Sequence, residues 1–129
     1  MKKLFLFSSL LLWIIGCSTF AGLQPGEGQK IITDKSKDQV WAAAMEVVKK
    51  RNFEISESDK EKGIIKAMSG VSGWSWGELI GIFIYVSEKN SSRIVIEVVS
   101  NSVMKTNVTA KNWAPIIISD IREELGILN

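Results

Sequence analysis

Between Leu79 and Val86 both residue parities are largely apolar, whereas Phe53 to Ser56 alternates. A strand with one solvated face shows a period of two, so this run reads as a central strand covered on both faces, or as one whose second face is left for something else. The neighbouring segments supply its partners. Phe53 and Ile55 alternate with Glu54 and Ser56, Ser58-Asp59-Lys60-Glu61-Lys62-Gly63 forms a polar turn, and Ile64 to Met68 returns as the second arm of a hairpin. Arg93 to Val99 is a further strand, reached through the tight connection Glu88 to Ser92, and Lys30 to Thr33 makes a short first strand. Val103 to Thr109 fits either a fifth strand or a loop.

Two helices frame these strands. Ser36-Lys37-Asp38-Gln39 matches a capping box, in which a hydroxyl and an amide satisfy free backbone donors at a helix start. Val40, Trp41, Ala44, Val47 and Val48 follow at helical spacing, and Arg51-Asn52 closes the helix. The last helix begins near Asn112, carries Pro115 in its first turn and presents Ala114, Ile117, Ile118, Ile121 and Leu125 as an apolar stripe. Gly126 is placed to cap its end. The expected fold is α+β and two-layered: an antiparallel sheet of four or five strands with an N-terminal and a C-terminal helix, in the order β-α-β-β-β-β-α.

The N-terminal segment is of another kind. Lys2 and Lys3 precede an apolar run from Leu4 to Ile15, too short to span a bilayer, that leads into Gly16-Cys17-Ser18. A positive start, a short apolar stretch and small residues beside a thiol are the parts of a bacterial lipoprotein signal, with Cys17 as the acylated residue. Ile14 stands where such signals usually carry leucine. Signal cleavage after Ala21 and an uncleaved anchor are the competing readings. Acylation of Cys17 implies stable attachment to a membrane surface, since each buried methylene adds about 0.8 kcal/mol. Ser18 after the cysteine implies, in a Gram-negative cell, sorting to the outer membrane facing the periplasm.

On this reading residues 1–16 are the signal, 17–29 a lipidated tether rich in turn formers, and 30–129 a single domain. The chain has 16 basic and 14 acidic side chains, and loss of Lys2 and Lys3 evens the balance. With no basic run longer than Lys49-Lys50-Arg51, nucleic acid is not an expected partner.

Val40-Trp41, then Phe53-x-Ile55, then Ser58-Asp59-Lys60-Glu61-Lys62-Gly63-Ile64-Ile65-Lys66-Ala67 resembles the helix-grip domains of small periplasmic lipoproteins. The repeats of the BamC family, accessory lipoproteins of the outer-membrane β-barrel assembly machine, are the best known of these. The resemblance spans roughly Lys30 to Leu125 and implies a helix-grip fold rather than membership of that machine. Asp59 and Gly63 carry over only as turn residues.

The most unusual stretch is Ser69-Gly70-Val71-Ser72-Gly73-Trp74-Ser75-Trp76-Gly77-Glu78. In an extended backbone Trp74 and Trp76 point to the same side, and the flanking glycines let the chain bend. The two indoles either cover the core edge at a long hairpin end or form an exposed aromatic tip that binds a partner, a ligand or a headgroup layer. Trp41 and Trp113 fall on helix stripes and belong with the core.

Catalysis is not expected. The chain has no histidine, and its one cysteine is assigned to lipid. Asp59 and Glu61 lie in a turn, Glu123-Glu124 on a helix exterior, and Gly70-x-x-Gly73-x-x-x-Gly77 lacks the Lys-Ser/Thr of a phosphate loop. No cofactor or metal ligand set is expected. Two functions remain: an envelope interaction module that docks on a protein partner, and a binder of an apolar, lipid-like ligand held between helix and sheet.

Overall fold

The Ser36 Oγ accepts from Gln39 N at 3.2 Å and Gln39 Oε1 accepts from Ser36 N at 3.1 Å, so the first helix opens with the full capping box. In this computed structural model, which describes residues 23–26, 28–70, 77–102 and 111–127, that helix is α1, Lys37–Lys50. It ends with Asn52 in the left-handed region, φ +56°, while Asn52 N and Phe53 N donate to the carbonyls of Lys49 and Val48. Asparagine tolerates that conformation, and the two bonds satisfy carbonyls the helix leaves free. The last helix, α2 (Ala114–Leu125), has Pro115 in its first turn and Gly126 at φ +68° at its end.

Between the helices runs an antiparallel meander of β2 (Glu54–Asp59), β3 (Ile64–Met68), β4 (Glu78–Val86) and β5 (Ile94–Ser102), and β1 (Gln29–Thr33) precedes α1. The five strands form one sheet in the order β1-β5-β4-β3-β2, every neighbouring pair antiparallel. This is the expected β-α-β-β-β-β-α layout. β5 runs three residues beyond the expected Val99, because Asn101 and Ser102 continue the ladder opposite Leu79 and Glu78.

Strand alternation divides the sheet into two faces. The inner face presents Ile31, Ile65, Ala67, Ile80, Ile82, Ile84, Ile96 and Val98 to the helices, which add Val40, Ala44, Val47, Val48, Ile117 and Ile121; all are buried. Trp41 and Trp113 pack half-buried against this core, and Ala43 takes the buried α1 position beside Ala44. The outer face carries a second, smaller cluster of Leu79, Phe83 and Val99, covered by Leu23 from the segment preceding β1. The doubly apolar β4 is thus sandwiched: helices on one side, the chain's own N-terminal segment on the other.

The turn from β2 to β3 is built as its residues suggest. Asp59 Oδ1 accepts from Lys62 N at 3.1 Å, and Gly63 takes φ +69°. A Cβ at Gly63 would stand 2.0 Å from the Ile84 carbonyl oxygen, so no other residue fits without displacing β4. At the sheet's outer edge β2 breaks register between Ile55 and Glu57, leaving Ser56 as a bulge, and its Glu54, Glu57 and Asp59 are charged. Bulges and charges blunt an edge whose free backbone groups would otherwise template a further strand.

Candidate functional site

The residues singled out in the sequence as Cys17, Trp74 and Trp76 lie outside the described residues, as does Val103 to Thr109. What the structure places are the anchoring points of these stretches. Both ends of the Trp-bearing segment are held at one buried carboxylate, Glu78, at the start of β4. Ser69 N donates to the Glu78 carbonyl at 2.9 Å, Glu78 N donates to Ser69 Oγ at 2.7 Å, and the Ser69 hydroxyl donates to Glu78 Oε2. Gly77, between them in space, adopts φ +94°, and a Cβ there would lie 2.8 Å from the Ser69 carbonyl oxygen.

The same carboxylate receives the chain as it enters α2. Lys111 N donates to Glu78 Oε1 at 2.8 Å and Trp113 Nε1 donates to Glu78 Oε2 at 3.1 Å. Trp113 N also donates to Ser100 Oγ at 3.1 Å, and Asn112 Oδ1 accepts from Ala114 N at 3.2 Å. The Trp113 ring meets the edge of Phe53 at 4.9 Å, with the Lys111 ammonium 4.4 Å and the Arg51 guanidinium 5.7 Å from its centroid. Cations over an indole face are attracted by its quadrupole, so the ring is held on several sides. Glu78 is only 4% exposed. Its carboxylate accepts from Ser69 just past β3, from Lys111 N on the approach to α2 and from the Trp113 indole, as a buried carboxylate requires.

A second buried carboxylate, Glu97, sits on the outer face of β5 with its side chain wholly covered. It accepts from Gly26 N and Gly28 N at 2.5 and 3.0 Å and from the Tyr85 hydroxyl at 3.0 Å, with the Lys30 ammonium 3.8 Å away. Burial pushes the Glu97 carboxyl up, but the two backbone donors, the Tyr85 hydroxyl and Lys30 together hold it below its ordinary value. Burial and the bond to Glu97 raise the Tyr85 phenol in turn. Beside this arrangement a cleft of about 440 Å³ opens between Pro25-Gly26, Lys62-Gly63 and the rings of Phe83 and Tyr85.

The remaining sequence candidates are structural. Asp59 is a turn acceptor, while Glu124 pairs with Lys50 at 2.9 Å and Asp120 forms a two-pronged pair with Arg51 at 2.7 and 3.0 Å. These pairs line the cleft between the ends of α1 and α2, and the hydrogen bonds to Glu124 and Asp120 hold Lys50 and Arg51 above their ordinary values. Among the described residues no group of three or more His, Cys, Asp or Glu stands together to hold a metal ion.

Neither Glu78 nor Glu97 was singled out from sequence. Glu97 had a signal, being the one charge among the outward Val95, Glu97 and Val99. Glu78 had a weaker one, an acid opening an otherwise apolar run. Compared with known proteins, the chain matches no family model and no curated sequence.

Proposed function

We propose that this chain is a membrane-anchored, noncatalytic interaction module of the bacterial cell envelope, held by acyl chains on Cys17 and directed in a Gram-negative cell to the periplasmic side of the outer membrane. The observation that carries the reading is the Glu78 anchorage. One buried carboxylate ties down both ends of the segment bearing Trp74 and Trp76 and the far end of the segment 103–110. Binding segments supported on a rigid base lose less conformational freedom when a partner docks.

The layer between helices and sheet supports the same reading. Ile65, Ile80, Ile82, Ile84, Ile96, Ile117 and Ile121 are fully buried there, so the groove in which an apolar ligand would sit is occupied by side chains. That weighs against the lipid-carrier alternative. The resemblance to helix-grip lipoprotein domains enters as a relation of fold and names no partner.

The deciding experiment is photo-crosslinking in cells from position 76 of the lipidated chain at native level, read by mass spectrometry. A discrete protein adduct supports the module. Lipid adducts alone support the carrier alternative, and the absence of any adduct removes the Trp74 and Trp76 segment as the binding element.

A further inference from the structure

The segment between the anchor cysteine and the first strand is docked before it reaches the sheet. Leu23 is 3% exposed, seated among Leu79, Phe83 and Val99 over Gly81. The missing side chain at Gly81 makes that seat: a Cβ there would point at the Phe83 ring, 2.9 Å away, and lie 3.5 Å from Leu23 Cβ. Further along, Gly26 and Gly28 give their N–H groups to the buried Glu97 carboxylate. Gly28 lies so close to β5 that a Cβ would stand 2.3 Å from the Val98 carbonyl oxygen. An apolar plug and a charged latch, five residues apart at their extremes, hold one strap across the outer face.

We propose that this strap fixes the orientation of the anchored protein, so that the outer face of the sheet is turned toward the lipid surface and the helix layer away from it. The inference rests on the reading that Cys17 carries the acyl chains. Five residues lie between Cys17 and Leu23, and whatever their conformation the six Cα-to-Cα steps span at most about 20 Å. Without the strap the free length runs twelve residues to Gln29, about 40 Å, and the domain can present any face. The helices lie behind the sheet at a layer spacing of about 10 Å, and their outer surface stands about 5 Å further. A chain leaving the opposite face must also pass round the sheet edge, so about 20 Å does not bring the helix layer down onto the membrane.

The test uses the purified lipidated chain in phosphatidylethanolamine and phosphatidylglycerol vesicles containing headgroup spin-labelled lipid. A fluorophore is placed on a single introduced cysteine, either Ile32→Cys on the outer face of β1 or Lys49→Cys on the exposed side of α1. The expected result is severalfold stronger quenching at position 32. Introducing Glu97→Ala, or Leu23→Asp, which alters only the strap, makes the two positions alike. Equal quenching in vesicle-bound chain with the native strap overturns the orientation and leaves the anchor standing. A difference that survives both strap variants overturns the strap as its cause. A chain that neither floats with vesicles nor carries acyl label overturns the anchor, and the orientation with it.

Discussion

The indole Nε1 of Trp113 donates to Glu78 Oε2 across 3.1 Å, joining the entry of α2 to the first residue of β4. Two segments far apart in sequence are thereby fastened at one point, because the same carboxylate also holds Ser69 and Lys111. Trp113→Ala removes this bond, the edge contact with Phe53 and the surface on which Lys111 and Arg51 rest. The expected loss is about 3 kcal/mol in urea unfolding followed by circular dichroism. Trp113→Phe keeps an aromatic ring and leaves Glu78 one donor short, for a smaller loss of about 1–2 kcal/mol. Equal losses in the two variants would show that the bond to Glu78, which both remove, carries the whole effect.

Glu97 makes stability depend on acid. Burial opposes its charge, but Gly26 N, Gly28 N, the Tyr85 hydroxyl and Lys30 hold the folded carboxyl below the ordinary 4.5. A group lowered on folding contributes stability that is complete above its unfolded value and is lost as pH falls through the folded one. Urea midpoints measured from neutral pH down to about pH 3 should therefore fall below pH 4.5 more steeply for the native chain than for Glu97→Gln. Parallel profiles would mean that the carboxylate is not held as described.

Tyr85 is the chain's single tyrosine, so phenolate absorbance reads it alone. Burial first, and then the bond to Glu97, raise it above 10.0. Titration of Glu97→Gln should bring the midpoint back toward 10.0, and an unchanged midpoint would leave burial as the only cause.

Gly63 and Gly126 have nearly the same positive φ, +69° and +68°, in different surroundings. At Gly63 an added Cβ meets the Ile84 carbonyl, whereas at Gly126 it meets open space. Gly126→Ala should lose about 1 kcal/mol from backbone strain alone, and Gly63→Ala about 3 kcal/mol, since β4 must also shift. Thermal unfolding of the pair separates conformational strain from steric overlap.

Cys17→Ser should abolish acyl labelling and shift the protein out of the membrane fraction. Persistence of both would sink the anchor, and with it the envelope reading.

Most of the architecture was legible because it is written in short-range chemistry. Ser36 and Gln39 specify a helix start by three-residue spacing, Gly126 specifies a stop, and Asp59 with Gly63 specifies a turn. The strand from Phe53 followed from alternation, and that from Leu79 to Val86 from an apolar run bounded by turn residues. The docking of residues 23–28 was not legible, and they read as part of a tether. A strap has no period: its fit depends on one leucine, two backbone N–H groups and a carboxylate about seventy positions away. For the same reason Glu97 looks like the solvated member of an alternating strand until something covers it. Glu78 was missed because its partners come from Ser69 and from Lys111 and Trp113, which only the completed sheet brings together. The placement of Trp74 and Trp76 falls outside the described residues.

The bulge at Ser56 and the acidic side chains of β2 have a consequence for crowding. Proteins confined to a bilayer meet neighbours in two dimensions, at effective concentrations well above those of freely diffusing chains. Five-stranded sheets with a bare lateral border would there be prone to zip into ribbons. The kink after Ile55, with Glu54, Glu57 and Asp59 along the same border, denies an incoming copy both a straight template and a neutral one. On the proposed anchoring, copies crowded on one membrane would thus not join through their β2 borders.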